Sequence, residues 1–253
     1  MSLPSSQTCA SWVRDELATT TWVPLRDRLY GAVRKRLIKL SDENVWEFVE
    51  ENVSFVAEHL RDDVADCQVD GSVPRYEIDN DPSPYIRLTG LAPSDLLSKI
   101  RKIDPFEFEA VCADILNALG GVCRTTQKTN DGGVDFWGVD LKIAPAGLSV
   151  PVASRMAVIG QAKRYKDGNC VSETQVREFV GAATAFRHKF LRDGTIAPLS
   201  PVIFAFWTTS DFDRSAKLFA RELGLWYMEG STLAAYIAAL GLKERVMLLP
   251  HAP

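Results

Sequence analysis

The sequence predicts an α/β fold, a mixed central sheet flanked by helices, preceded by a mainly helical N-terminal domain. Three observations predict it. Residues 1–68 carry apolar side chains at helical spacing, and residues 69–95 (VDGSVPRYEIDNDPSPYIRLTGLAPSD) are dense in Gly, Pro, Asp and Asn. From about residue 96 onward, apolar runs of strand length alternate with amphipathic helices in the order αβββαβαβα. The chain accordingly divides into 1–95 and 96–253.

Each element has its own signal. Leu25, Leu29, Val33, Leu37 and Leu40 recur at helical spacing, with Arg34, Lys35, Arg36 and Lys39 among them. Ser41 opens a second helix carrying Val45, Trp46, Val49, Val53, Val56 and Leu60. The Gly/Pro-rich stretch after it reads as short strands and turns, or as a linker. Asp104-Pro105 then begins a helix, with Glu107 completing a capping box and Gly120-Gly121 ending it. Strands follow at Val122–Thr126 and Val134–Leu141, separated by the turn Asn130-Asp131-Gly132-Gly133. Another strand is expected over Arg155–Tyr165, and a helix over Ser172–Phe186. The run Val202–Trp207 has the length and bulk of a buried central strand. A helix at Asp213–Leu223, a strand at Leu225–Met228 and a helix at Ser231–Leu240 complete the pattern. The tryptophans and phenylalanines read as core.

Composition narrows the function. The 253 residues are 46% hydrophobic and 25% charged, ordinary for a globular protein. No apolar run approaches the ~18 residues of a membrane span. The N-terminal sequence lacks the basic start and apolar core of a secretory signal. Five cysteines, none spaced C-x-x-C, are expected to be reduced thiols in a cytoplasmic protein. Three scattered histidines argue against zinc, so a catalytic metal would take oxygen ligands. The net charge of −4 is uneven. Residues 1–100 hold eleven Lys/Arg against seventeen Asp/Glu, net −6, and residues 101–253 hold eighteen against sixteen, net +2. Overall charge therefore gives no support for a polyanionic partner, and that case rests on a site.

Three features could do chemistry. Asp135 follows Asp131-Gly132-Gly133-Val134, where glycines permit a sharp turn into a strand. Gln161 and Lys163 share one face of the strand RMAVIGQAKRY, and both are costly to bury there unless something uses them. Glu109 lines up with Cys112 and Leu116 on its helix, towards the buried stripe. Blander readings stand beside these. Asp135 could cap a turn, Gln161 and Lys163 could face solvent on an edge strand, and Glu109 could favour the positive helix N-terminus. Arg34–Arg36 reads as a solvated helix face, with contact to nucleic acid the alternative. The hydroxyls of Thr208, Thr209 and Ser210 end a strand or meet phosphate.

Together the segments FEAVCADILNALGG (108–121), DGGVDFWG (131–138), QAKRY (161–165) and WTTSDFDRSAKLFARELGLWYMEGSTLAAYI (207–237) resemble the Mrr-like branch of the PD-(D/E)XK restriction endonucleases. The resemblance covers about residues 100–240 and implies a restriction-endonuclease-like sheet. It also implies a metal-dependent endodeoxyribonuclease acting on duplex DNA in restriction or anti-phage defence. It assigns catalysis to Glu109, Asp135, Gln161 and Lys163, with Q-x-K in place of E-x-K. Mg²⁺, with Mn²⁺ as substitute, would be held by Asp135, Gln161, the Ala162 carbonyl and Glu109. Lys163 would orient the attacking water and offset charge on the phosphate. Lys128, Arg164 and Lys166 lie near these motifs and are expected at backbone phosphates. Two-strand cleavage implies a homodimer. Residues 1–95, rich in large apolar side chains (Trp12, Trp22, Trp46, Phe48, Phe55), are expected to contribute to that contact or to bind a partner protein or ligand. The alternatives are a winged-helix DNA reader in residues 1–95, a non-cleaving DNA-binding or scaffold protein on the same fold, and a nuclease for branched DNA or RNA.

Overall fold

The computed structural model of the chain describes residues 3–70, 74–90, 93–126, 133–141, 155–165 and 169–252. Its described residues form two compact units, divided between Ser94 and Asp95.

The first unit begins with α1 (Ser6–Glu16), whose Ser5 hydroxyl accepts from the Thr8 amide as a helix cap. The strand β1 (Val23–Pro24) leads into α2 (Leu25–Arg36), and α3 (Asp42–Asp70) follows. The strands β2 (Tyr76–Ile78) and β3 (Tyr85–Leu88) then pair antiparallel, and β1 adds to the other edge of β3. The Gly/Pro-rich stretch is thus the sheet of this unit rather than a linker. Pro24 is tolerated because β1 is an edge strand. The core comes from the inner faces of the three helices (Val13, Leu29, Val33, Val49, Leu60) closed by Tyr76 and Ile86. Aromatic side chains expected inside are partly outside. Phe48 is buried, but Trp22, Trp46 and Phe55 are exposed. Trp22 lies under the Arg87 guanidinium, and Trp46 stacks on Tyr30 at 4.3 Å. The basic run of α2 is tied to acids: Arg34 to Asp42 at 2.8 Å, and Lys35 and Arg36 to Glu16.

The second unit is a three-layer α/β sandwich. It opens with α4 (Ser94–Ile100), which periodicity did not signal, and α5 (Pro105–Ala118). Asp104 caps α5 by accepting from the Phe106 amide, and Pro105 stands where no backbone donor is needed. Next come β4 (Val122–Thr125), β5 (Phe136–Leu141), β6 (Met156–Lys163), β7 (Cys170–Val171) and α6 (Glu173–Arg192). The chain continues through β8 (Val202–Thr208), β9 (Asp211–Phe212), α7 (Arg214–Glu222), β10 (Trp226–Met228), α8 (Gly230–Ala239) and α9 (Lys243–Leu248). The five-stranded sheet runs β10-β8-β6-β5-β4. The pairs β10/β8 and β8/β6 are parallel, and β6/β5 and β5/β4 antiparallel, so the sheet is mixed as expected. Separately, β7 and β9 form a two-stranded parallel ribbon.

Strand alternation sorts the two cores. Val158, Ala162, Ala205 and Trp207 face α4, α5 and α8, and Ile159 and Phe206 face α6 and α7. Gly160 has no side chain for a local reason: a Cβ there would stand 2.1 Å from the Phe136 ring, which occupies the space. Helix α6 runs beyond the expected Phe186 because Phe190 returns to the core, packing with Ala157 and Ile196.

Candidate active site

The candidate residues gather where the start of β5 meets the end of β6. Gly133 has φ +94°, a conformation that favours glycine, and it turns the chain into Val134 and Asp135. The Asp135 amide donates to the Gly160 carbonyl at 2.9 Å, one residue out of register with the Phe136–Gly160 pair. The irregularity lets Val134 and Phe136 enter opposite cores and turns the Asp135 carboxylate back onto β6. There Oδ2 accepts from the Ala162 amide at 2.8 Å. The aspartate is therefore fixed to the residue between Gln161 and Lys163.

Gln161 is buried, on the face of β6 that α6 covers, and its register partner is Phe206. Its Nε2 lies 3.5 Å from the point where a Gly133 Cβ would be, and the Ala182 Cβ of α6 is 3.6 Å from the same point. Any larger residue at 133 would therefore crowd the glutamine. Lys163 is the last residue of β6 and half-buried, paired in register with Thr208. Glu109 stands on α5, which packs on the opposite face of the sheet, the face of Ala162. Cys112, one turn further along α5, is fully buried, and its thiol is pushed well above the usual range. Burial is the main cause, followed by the charges of Asp135, Glu109 and Asp114. Asp135 and Glu109 thus act on one buried point from two elements. The structure joins Asp135 to Ala162, Gln161 to the Gly133 turn, and Asp135 and Glu109 around Cys112.

Sequence reasoning left the hydroxyls of residues 208–210 open between a strand end and phosphate contact. All three residues are buried, and their hydroxyls bond inward. Thr208 Oγ1 donates to the Lys163 carbonyl at 2.9 Å, which also accepts the Thr209 amide. Thr209 Oγ1 accepts from the Tyr165 amide and donates to the Tyr165 carbonyl, both at 2.9 Å. Ser210 Oγ donates to the Asn169 carbonyl. These side chains clamp the chain as it leaves Lys163. Polar residues buried at a strand end were the available signal. Arg164, expected at phosphate, sends Nη1 to the Arg101 carbonyl at 3.0 Å, and its Nε is buried. Lys128, Lys166 and Asp131 lie outside the described residues.

The donors here are carboxylate, carboxamide and backbone carbonyl oxygens. Among the described residues no group of three His, Cys, Asp or Glu side chains could hold a metal. A hard cation such as Mg²⁺, which keeps several waters and takes few protein oxygens, suits this donor chemistry better than zinc does.

The family model of the Mrr catalytic domain, described as a restriction endonuclease, matches residues 100–237, more than half of the chain. No curated protein matches. Among solved structures, the chain is similar to the MspJI restriction endonuclease in complex with a 27-mer oligonucleotide. The identity is 21% and the TM-score 0.38, over 56% of this chain and 29% of that one. It is similar to the DNA modification-dependent restriction endonuclease AspBHI at 19% identity and TM-score 0.44, over 62% and 39%. It is similar to the restriction endonuclease FokI bound to DNA at 12% identity and TM-score 0.37, over 96% and 47%. The chain covers less than half the length of each of these three.

Proposed function

The chain belongs to the restriction endonuclease family through residues 100–237, and on that premise we propose that it is a metal-dependent endonuclease hydrolysing phosphodiester bonds of duplex DNA. The observation that carries the reading is the bond from the Ala162 amide to Asp135, which ties the aspartate to the Gln161–Lys163 segment.

In this reading Asp135, Gln161 and the Ala162 carbonyl hold Mg²⁺, or Mn²⁺ in its place, and Glu109 is an outer member reaching from α5. Such an ion, when bound, supplies positive charge for a non-bridging phosphate oxygen and acidifies a water. The protein's own groups do the rest. Asp135 is oriented by the Ala162 amide, from which it accepts. Lys163 directs its ammonium at the attacking water and at charge growing on the phosphate. The Thr208 and Thr209 clamp fixes the backbone from which Lys163 projects. Gln161, a neutral ligand, leaves the site one negative charge poorer than a carboxylate would, so the metal requirement falls in the millimolar range.

One such site cuts one strand, and the strands of a duplex are antiparallel. A two-fold pair of copies accounts most simply for two-strand cleavage. Residues 1–95 then recruit a partner or take part in that pairing, since their basic run is already matched by Glu16 and Asp42. Restriction or anti-phage defence in the cytoplasm is the setting this activity fits.

The test is incubation with plasmid, linear duplex, single-stranded and branched DNA, and RNA, with Mg²⁺, Mn²⁺ or excess chelator. Cleavage of duplex DNA that chelation abolishes and metal restores is expected. Asp135→Ala and Lys163→Ala should each lower the rate by about two orders of magnitude while staying folded. Full activity in excess chelator, near-native cleavage by either variant, or cleavage confined to RNA would overturn the reading.

A further inference from the structure

We infer that the C-terminal half of α6 is a second contact for the phosphate backbone, holding the strand about three nucleotides from the bond that is cut. This rests on the proposed nuclease reading for its partner and on independent observations for its place.

Four basic residues fall within six positions there: Arg187, His188, Lys189 and Arg192, all exposed. Among the described residues none of them forms an ion pair. By contrast, α2 spends its run Arg34–Arg36 on Glu16 and Asp42, and Arg177, earlier on α6, is bound to Glu173 at 2.5 Å. The acid nearest in sequence is Asp193, whose Oδ1 accepts from the Thr195 amide and hydroxyl at 3.0 and 2.6 Å; it lies in the field of Lys189 and Arg192 without forming an ion pair with either. Lys189 lies over the Phe186 ring with Nζ 5.7 Å from its centroid, a contact that leaves the ammonium open to solvent. Cations in a last helical turn also favour the negative end of the helix, so charge alone does not decide the matter.

Position decides it. Ala182 of α6 touches the Gly133 turn, at the point that the Gln161 amide also approaches. Lys189 is seven residues further on, two turns less a small rotation, so it lies on the same side of the helix about 10 Å along the axis. At 3.4 Å per nucleotide that is about three nucleotides of duplex. Between the two points the exposed helix surface carries Thr184 and Ala185, with the half-buried Phe186 beneath Lys189; Gly181 lies one residue before Ala182. A Cβ on Gly181 would meet nothing within 4 Å. The surface is low where a sugar-phosphate chain would pass and basic where it would arrive. Arg192, one turn beyond Lys189, lies on the same side of the helix, and Arg187, two residues before it, projects from the far side. Glu178 lies on the same side in the other direction, one turn before Ala182, and gives the track a polarity towards the C-terminus of α6.

The experiment measures binding of the full-length protein to a 30-base-pair duplex in excess chelator, so that cleavage plays no part, over a series of KCl concentrations. The triple variant Arg187→Gln/Lys189→Gln/Arg192→Gln keeps good helix formers and removes three cations. Each lost phosphate contact lowers the slope of log K against log[salt] by ~0.9, so the triple variant, which removes Lys189 and Arg192 from the track, should be shallower by about two. Arg177→Gln, whose cation is already paired, should leave the slope within half a unit. The variant Arg187→Lys/Arg192→Lys should keep the parent slope, because charge rather than the guanidinium fork is what the contact uses. A triple variant with the parent's slope, or a parent without salt-dependent duplex binding, overturns the inference. A parent that binds with the expected slopes yet never cleaves would sustain this contact and defeat the nuclease reading. The reverse result would separate them the other way.

Discussion

Replacing Thr209 by valine tests whether the end of β6 is held by its hydroxyl. The residue is fully buried, and valine conserves its volume, so packing is nearly unchanged. What is lost is the pair of 2.9 Å bonds to the amide and carbonyl of Tyr165. A net hydrogen bond contributes about 1 kcal/mol, and stranding a buried backbone group adds about 1–3 kcal/mol. Tyr165 is half-buried, so water recovers part of that, and the expected loss is about 2–4 kcal/mol. Thr209→Ser keeps the hydroxyl and sheds one methyl, costing about 1 kcal/mol. Urea unfolding of parent, valine and serine variants measures the two losses, and hydrogen exchange at the Tyr165 amide reports the site directly. Cleavage should follow the same order, because Lys163 lies two residues away and a shift of ~1 Å in a positioned group costs on the order of a hundredfold in rate. A valine variant as stable as serine, with Tyr165 equally protected, would refute the clamp.

Three further outcomes follow from other parts of the second unit. Gln161→Glu should retain cleavage and reach half-maximal rate at a lower Mg²⁺ concentration, and Gln161→Ala should lose most activity. A metal titration of the three proteins decides this, and equal rates for parent and alanine would remove Gln161 from the site. Lys217 and Glu229 form a buried ion pair at 3.0 Å, with Glu229 also accepting from the Phe212 amide. Lys217→Met should cost about 3–5 kcal/mol in urea unfolding and Lys217→Met/Glu229→Gln less, since the buried charge then goes with its partner; a cost below about 1 kcal/mol would be inconsistent with that. The Cys112 thiol is held high by burial and then by Asp135, Glu109 and Asp114, so the folded protein keeps that proton after the unfolded chain has lost it. This contribution to stability is intact below about pH 8.5 and declines above it, by about 1.4 kcal/mol per pH unit. Cys112→Ala should flatten the fall in unfolding free energy between pH 8.5 and 10, and identical slopes would contradict the assignment.

The elements that frame the site were legible because their signals are local. Asp104-Pro105 marks the start of α5 through capping, and the apolar run Val202–Trp207 marks a strand buried on both faces. Asp135 and the Gln161–Lys163 pair could be nominated because a D-G-G-x-D turn and two polar residues on one strand face are uncommon in so apolar a setting. What was not legible depends on partners distant in sequence. The two-residue strands β7 and β9 have no periodicity and exist because Cys170–Val171 finds Asp211–Phe212. The inward bonding of Thr208, Thr209 and Ser210 depends on where Lys163, Tyr165 and Asn169 lie, and Arg164 turns inward because the Arg101 carbonyl is within reach. That Glu109 and Gln161 belong to opposite layers follows from which face of the sheet α5 and α6 each cover, which no local pattern encodes. Trp22 and Trp46 were misplaced because Arg87 and Tyr30 give their rings a partner at the surface.

The clamp on β6 also orders events during synthesis. Asp135 and Ala162 are 27 residues apart and their strands are antiparallel neighbours, so that half of the site can close early. The bonds that fasten the backbone around Lys163 come from Thr208 and Thr209, 44 or more residues later in the chain. A nascent chain emerging from the ribosome therefore carries its acid in place well before its lysine is held. The hydrolytic constellation is completed by the parallel strand β8, whose pairing needs a long loop to close. On the proposed nuclease reading a fragment is thereby kept inert, because truncation anywhere before residue 208 removes the residues that fix Lys163.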